Sequence, residues 1–181
     1  MKRIIVLLVT LFSCLSISAQ IQTKFWGLEL CEYYNSIEEA QVIIQNRCED
    51  TEIERDVITA YNGTLGGYEW KFINFHFTKV LAHYGLYLVD FSYNYKSIED
   101  AESRYYSLKE SLERKYGLQR DTHIENGEMT DVWTDDSTST CCILRLQKKI
   151  SIGGDMFWYV FLSYHNGDLL GYAIAKEEEE L

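Results

Sequence analysis

Apolar and polar positions along the chain follow two periods, one typical of helices and one typical of strands. Two segments place apolar residues on one helical face, and a serine precedes each of them, Ser36 in the first and Ser97 in the second. Glu39 and Asp100 fall at the third helical position, where an acidic side chain completes a capping box. The second segment stops before Gly117, a residue suited to a left-handed helix end. The pattern therefore predicts two capped helices.

These patterns recur along the chain. The segment 34–40, which contains Ser36, returns as 95–101, which contains Ser97. A strand-like segment, 72–76, matches 161–165, and both alternate as half-buried antiparallel strands do. The second copy is longer, and its polar segment 119–139 predicts either an extra strand pair or a long functional loop.

The fold class predicted from these patterns is α+β, with two tandem repeats of a helix packed on an antiparallel β-meander in two layers. Asn166-Gly167 is a strong short hairpin signal near the end of the second repeat. The predicted organisation is a signal peptide at 1–19, a first repeat at 20–96 with its helix from Ser36, a second repeat at 97–176 with the extra segment 119–139, and an acidic tail at 177–181.

The N-terminus has the layout of a secretory signal peptide. Lys2 and Arg3 precede an apolar run at 4–12, and small residues lead to a cleavage position after Ala19. A lipid tether at Cys14 is the alternative, because 11–14 loosely resembles a bacterial lipobox. We therefore expect export to the periplasm or the extracellular space, or anchoring to the envelope by lipid.

Composition narrows the expected partners. The 181 residues include 17 Lys and Arg against 28 Asp and Glu, which gives a formal charge of −11. An acidic chain is a poor match for phosphate backbones, so the sequence predicts no nucleic-acid partner. No segment after residue 19 reaches the length of a membrane span, and none is predicted.

The cysteines leave two readings open. Cys31 and Cys48 flank the first predicted helix, and a disulfide between them would contribute roughly 3 kcal/mol by closing the intervening loop. Free, buried thiols are equally ordinary. No cysteine or histidine spacing matches a zinc site, so no metal and no cofactor are predicted.

A family resemblance follows from the first strand and the helix after it. The segment 25–30 reads Phe-Trp-Gly-Leu-Glu-Leu, and the Ser36-capped helix then begins Ile-Glu-Glu-Ala. This arrangement resembles small exported bacterial proteins of the β-lactamase-inhibitor-protein-like group, which pair tandem helix-plus-meander repeats. The resemblance implies a binding or scaffolding role without an active site, and it does not identify a target.

Alternation within the strands indicates a candidate binding face. In the strand 70–77, Ile73, Phe75 and Phe77 suit the helix-covered side. The opposite side then carries aromatic and polar residues from both repeats, a composition typical of partner surfaces. Two alternatives to an open binding face remain: both faces of the sheet are buried between packed repeats, or the register is wrong by one residue, which would exchange the faces. The predicted face comprises Trp70, Phe72, Asn74, His76, Tyr159, Phe161, Ser163 and His165.

His76 and His165 occupy matching strand ends, where two related repeats could bring them together. No catalytic motif is recognisable, so the sequence predicts a non-enzymatic binding or scaffolding protein of the cell envelope. Its expected partner is an envelope protein or peptide, with the chain as a monomer or a homodimer. The alternative function is a small-ligand carrier or an enzyme with an enclosed aromatic pocket.

Overall fold

The computed structural model describes residues 20–150 and 153–179, with side chains described as far as residue 176. The described chain begins with three very short strands: β1 (Lys24–Phe25), β2 (Leu28–Glu29) and β3 (Tyr33–Tyr34). β1 and β2 pair with each other, so the segment expected as one strand is a tight hairpin turning at Trp26 and Gly27. The predicted signal peptide and Cys14 lie outside the described residues.

The remaining elements form three α-helices and eight longer strands. The helices are α1 (Ile37–Ile44), α2 (Ile98–Tyr116) and α3 (Gly167–Glu179), and a 3₁₀ turn, Gln45–Arg47, follows α1. The strands are β4 (Asp50–Glu54), β5 (Val57–Leu65), β6 (Tyr68–Val80), β7 (His83–Tyr95), β8 (Asp121–Glu125), β9 (Glu128–Asp135), β10 (Thr140–Ile150) and β11 (Met156–Asn166).

All eight longer strands belong to one antiparallel sheet with the order β4-β5-β6-β7-β11-β10-β9-β8, and β3 pairs with the start of β7. β4–β7 therefore form one meander and β8–β11 form another, and the two meanders meet at the β7–β11 pair. The extra segment is the strand pair β8–β9, which was one of its two predicted forms. The observed fold is mixed α+β, built on a large antiparallel sheet.

The helix predictions are confirmed at their caps. Ser36 accepts a hydrogen bond from the Glu39 amide at 3.2 Å, and Ser97 accepts one from the Asp100 amide at 3.3 Å. α2 ends at Gly117, whose φ is +84°. None of the helices in the described residues combines the length and the apolar character needed to cross a membrane.

α1 and α2 cover one face of the sheet and enclose the core there. Ala101, Tyr105, Leu108 and Leu112 form the buried side of α2. The sheet contributes alternate residues to the same core, and the largest fully buried side chains are Phe25, Trp70, Phe75, Phe91 and Tyr105. Burying this apolar surface is the main stabilising contribution to the two-layer arrangement.

Asn166-Gly167 does not form the expected hairpin. Asn166 ends β11, and its side-chain oxygen accepts hydrogen bonds from the amides of Asp168 and Leu169, both at 3.1 Å. Asn166 therefore caps α3, which begins at Gly167 and extends through most of the segment expected as an acidic tail. An Asn-Gly pair is compatible with a hairpin turn and with the start of a helix, because asparagine favours helix caps as well as turns.

Replacing Asn166 with alanine should lower the free energy of unfolding by about 1–2 kcal/mol. The change removes both cap hydrogen bonds. It also removes a third hydrogen bond, which the side-chain nitrogen of Asn166 donates to the Thr138 carbonyl at 3.0 Å. Chemical denaturation measures the loss. Asn166→Asp is the matched control, because it keeps the cap oxygen and should recover most of the difference; equal losses in both variants would contradict a capping role.

Candidate functional site: the open face of the sheet

The face of the sheet opposite α1 and α2 is partly exposed, and we call it the open face. In β11 the residues Trp158, Val160, Leu162 and Tyr164 are buried on the helix side, so the residues between them point the other way. Register places the corresponding residues of neighbouring strands beside them. The open face includes Thr59, Tyr61, Phe72, Asn74, His76, Leu88, Asp90, Ser92, Ile143, Arg145, Tyr159, Phe161, Ser163 and His165.

A polar network crosses the centre of the open face. Thr59 donates from its hydroxyl to the Asn74 amide oxygen at 3.0 Å, and the Asn74 amide nitrogen donates to Asp90 at 3.0 Å. The other Asp90 oxygen lies 2.6 Å from His76 Nε2. The side chains of His76 and Asp90 are 23% and 19% exposed, so the pair is reachable from solvent.

An aromatic–basic patch, comprising Phe72, Tyr159, Phe161, Lys71, Arg145 and Lys149, borders this network. Phe72 and Phe161 both lie opposite Ser92, and Arg145 lies opposite Phe161 on the next strand. The rings of Tyr159 and Phe161 are nearly parallel, with centroids 5.6 Å apart. Lys149 Nζ lies 4.9 Å from the centroid of the Phe161 ring, and Lys71 Nζ lies 5.4 Å from that of Phe72. Aromatic faces and cations are therefore interleaved.

His76 and His165 are in register with one residue between them. Both lie opposite Leu88 of the central strand β7, and we call these three residues the histidine row. Two strand spacings separate the histidine backbones, or about 9.6 Å. The ring of His76 also lies near Tyr87, with centroids 6.2 Å apart. Burial, followed by the nearby charge of Arg145, lowers the pKa of His165.

Trp70 does not belong to the predicted face. Its side chain is 1% exposed and packs on the helix side, with its ring 5.4 Å from Phe91 and under the Arg104 guanidinium. Trp70 and Ile73 are both buried, so the alternation of β6 shifts by one residue between them. The neighbouring strand is irregular at the same level, where Asn62 has φ +53°. The other seven predicted residues lie on the open face.

The four described cysteines are free thiols: Cys31, Cys48, Cys141 and Cys142. The structure therefore does not contain the disulfide considered for Cys31 and Cys48. Cys141 lies on the open face opposite His165, and burial raises the pKa of its thiol. A raised pKa leaves little thiolate at neutral pH, which makes Cys141 a poor nucleophile.

A buried carboxylate on the helix side was not found from the sequence. Asp131 of β9 is fully buried and accepts hydrogen bonds from Tyr105 at 2.6 Å, Thr122 at 2.6 Å and Lys109 Nζ at 3.0 Å. Burial alone raises the pKa of Asp131, but these hydrogen bonds and the Lys109 charge outweigh it and lower the pKa. The alternating burial of β9 would have indicated the inward position once that strand was recognised.

The aromatic pocket considered as an alternative has a small counterpart between α2 and the sheet. This cavity has a volume of about 130 Å³ and is lined by Trp70, Leu108, Leu112, Leu162 and Tyr164, among others. Pockets for small molecules are typically about 300–1,000 Å³. The cavity is therefore too small for an ordinary cofactor or metabolite.

Comparison with known proteins gives one family. A family model described as the RNase_H superfamily matches residues 7–137, more than two thirds of the 181 residues. No curated protein and no solved structure matches the chain significantly. The family match begins inside the segment predicted as a signal peptide, and that segment and the lipid site at Cys14 remain predictions.

This match corrects several expectations. The resemblance to the β-lactamase-inhibitor-protein-like group is wrong as an assignment of family. The expected role is wrong as well: a protein-binding, non-enzymatic scaffold without a nucleic-acid partner does not agree with a superfamily named for a ribonuclease. Acidic net charge misled the prediction about nucleic acid because it averages over the surface and hides local basic groups. The chain belongs to the RNase_H superfamily.

Proposed function

We propose that this protein acts on nucleic acid as a nuclease-type protein, and that a single strand docks on the open face. The observation that carries the docking site is the aromatic–basic patch, in which Phe72, Phe161 and Tyr159 lie among three cationic side chains. The superfamily supports the class of function. The aromatic–basic patch supports a single strand as the form of the nucleic acid that is bound.

Single strands offer what this patch can bind. Their unpaired bases are free to stack on aromatic rings, and each such contact contributes about 1–3 kcal/mol. Lysine and arginine beside the rings pair with the phosphates. Stacked base pairs of a regular duplex keep their faces covered, so a flat sheet surface with partly exposed rings favours an unpaired strand.

Charge is unevenly distributed across the open face. Lys71, Arg145 and Lys149 surround the aromatic rings, while Asp90 at the centre is engaged by Asn74 and His76. Asp50, Glu52 and Glu54 lie on the same face at its β4 edge, on the far side of the sheet from Arg145 and Lys149 of β10. A phosphate backbone is therefore attracted to the β10 side of the open face rather than to its β4 edge, despite the formal charge of −11.

A two-metal centre, as found in many nucleases, does not fit the described residues. Such centres hold two ions about 3.5–4 Å apart and need several converging ligands, carboxylates above all. No three or more His, Cys, Asp or Glu side chains within 20–150 and 153–176 are grouped to hold a metal. Asp90 and Asp131 lie on opposite faces of the sheet, and hydrogen bonds already occupy both.

We also infer that the fold comprises two repeats of one helix and four strands. α1 precedes β4–β7, α2 precedes β8–β11, and the last strands of the two meanders pair at the centre of the sheet. Phe72 and His76 of one meander correspond to Phe161 and His165 of the other. The open face would then combine equivalent positions from both halves into one surface.

Replacing Phe161 with leucine should weaken binding of single-stranded RNA about 5- to 150-fold, because one stacking surface is lost. Fluorescence anisotropy with a labelled strand of about 12 nucleotides measures this effect, since single-strand sites commonly span about 4–16 nucleotides. Binding should also weaken between about 50 and 200 mM salt, and Lys149→Met should reduce that salt dependence.

Tyr106→Leu is the matched control for this experiment. Tyr106 is an aromatic residue that is 54% exposed on α2, away from the open face. Its loss should leave binding unchanged. No detectable binding by the wild-type chain would overturn the proposed docking site, and so would equal effects of the Phe161 and Tyr106 substitutions.

A further inference from the structure

A carboxylate lies near the centre of the open face, where it does not suit the phosphates of a docked strand. Asp90 of β7 has Asn74 opposite it on β6 and Ser163 opposite it on β11, and its side chain is 19% exposed. Its charge would repel a phosphate backbone, which the cations of the aromatic–basic patch attract instead. Asp90 is therefore placed to accept hydrogen bonds from another part of the strand, and the bases carry such donors.

Two neighbours hold the Asp90 carboxylate in one orientation. The Asn74 amide nitrogen donates to one of its oxygens at 3.0 Å, and His76 Nε2 lies 2.6 Å from the other. Asn74 is itself held by Thr59, whose hydroxyl donates to the amide oxygen at 3.0 Å. A carboxylate has about four lone-pair positions, and these two contacts occupy one on each oxygen. Each oxygen of Asp90 can therefore accept one further hydrogen bond.

Phe72 and Phe161 lie on either side of Asp90. Both pair with Ser92, which is two residues from Asp90 on the same face of β7. Each ring therefore belongs to a diagonal neighbour of Asp90, at a separation of about 7–8 Å that aromatic side chains can bridge. A base stacked on either ring can extend its edge over Asp90.

The Watson–Crick edge of guanine matches a carboxylate held in this way. Its N1–H and N2–H groups are adjacent donors, so the two oxygens of Asp90 can accept one each. On adenine and cytosine the ring nitrogen of this edge is an acceptor, and in uracil the N3–H lies between two carbonyl oxygens. Those three bases would each place an acceptor against the Asp90 charge. Ser163, beside Asp90, has a hydroxyl that can donate to the remaining guanine acceptor, O6.

We propose that Asp90 makes the open face selective for guanine in a docked single strand. This inference rests on the proposed function and deepens it, because it names the base that is recognised at that site. Phe72 or Phe161 stacks on the guanine ring, and Asp90 accepts hydrogen bonds from N1 and N2. The aromatic–basic patch holds any single strand, and Asp90 adds the preference for one base.

The test compares labelled oligouridine strands of about 12 nucleotides that differ only at one central position, which holds guanine, adenine, cytosine or uracil. Fluorescence anisotropy with the full chain measures the affinity for each strand. The guanine strand should bind about 5- to 150-fold more tightly than the all-uridine strand, because one bidentate contact to a base discriminates by about this factor. A single guanine per strand also prevents the strand from forming guanine-rich structures of its own.

Base analogues test the contact without any change in the protein. Inosine lacks the N2 amino group and 1-methylguanine lacks N1–H, so each should lose most of the preference. The analogue 7-deazaguanine keeps the whole Watson–Crick edge and should bind as guanine does. A preference that 1-methylguanine retains would contradict the contact with Asp90, whatever the variants show.

Asp90→Asn should reduce the guanine preference to less than about twofold while the all-uridine strand still binds, because an amide has only one acceptor oxygen. Glu52→Gln is the matched control. Glu52 lies opposite Thr59 in the same row of the open face, three strands from Asp90, so the control removes the same charge at the edge of the sheet. Its preference should equal that of the wild type. A full guanine preference in folded Asp90→Asn would overturn the assignment of Asp90.

The wild-type affinities separate this inference from the proposed function. If the chain binds all four strands equally, or prefers a base other than guanine, the assignment of Asp90 fails and the docking site stands. If it binds none of the four strands, both proposals are overturned. A preference for guanine that requires N1–H, N2–H and Asp90 supports both.

Discussion

Replacing Lys109 with methionine should lower the free energy of unfolding by about 3–5 kcal/mol at neutral pH. Lys109 Nζ lies 2.8 Å from Asp131, whose side chain is fully buried between α2 and the sheet. Without Lys109 the carboxylate keeps its neutral hydrogen-bond donors but loses the only cation with which it pairs in the described residues. The variant therefore buries an uncompensated charge, and chemical denaturation measures the cost.

The pH dependence of this effect has a definite sign. The pKa of Asp131 is lowered in the folded wild type, so its stabilising contribution is present above the unfolded pKa of about 3.9 and disappears as pH falls through the folded pKa. Lys109→Met removes the hydrogen bond and the charge of Lys109, two of the contributions that lower the pKa of Asp131, so this pKa should rise in the variant. The difference between wild type and variant should then shrink from pH 7 towards pH 3.

Lys96→Met is the control for that comparison, because Lys96 is exposed in the turn before α2. Its unfolding free energy should stay within about 0.5 kcal/mol of the wild-type value. A loss below about 1 kcal/mol in Lys109→Met, or a difference that grows at acid pH, would show that the buried pair does not stabilise the fold as described.

Trp70→Ala should cost about 3–5 kcal/mol of unfolding free energy, whereas Phe161→Ala should cost much less and chiefly impair RNA binding. The two aromatic residues lie on opposite faces of the sheet. Trp70 fills the core beside Phe91, and Phe161 is partly exposed in the aromatic–basic patch. Thermal melting and anisotropy, measured on the same preparations, separate the two effects.

Trp70→Phe supplies a control that keeps most of the buried ring and should lose clearly less stability than the alanine variant. Unchanged melting of Trp70→Ala would contradict the core position of this residue. Complete unfolding of Phe161→Ala would mean that the open face is structural, and would remove the basis for a docking surface there.

The sequence predicted α1 and α2, two of the three helices in the described residues, because their signals are local. Ser36, Ser97 and Gly117 act within one turn of the helix ends they define, so their roles can be read without knowing the rest of the fold. Asn166 was misread for the same reason, since an asparagine before glycine serves a turn or a cap. Whether Asn166 serves as a turn residue or as a helix cap depends on whether the residues after it form a strand or a helix.

The face of the sheet on which a residue lies, and the residues that it contacts, were less predictable because both depend on residues that are distant in sequence. Alternation placed most of the open face correctly, but the shift between Trp70 and Ile73 depends on how β5 and β6 pair around Asn62. Asp131 shows the same limit: Tyr105 and Lys109 lie more than twenty residues away in sequence. The family membership has no short motif in this chain, and the helix-plus-meander pattern pointed to a different group.

The two outer strands of the sheet have a consequence for behaviour at high concentration. β4 carries Asp50, Glu52 and Glu54, and β8 carries Asp121 and Glu125. An unpaired strand edge is a template on which further chains can assemble into fibrils. Here any two edges brought together would oppose carboxylates at close spacing, and that repulsion keeps a long, aromatic-rich sheet from polymerising.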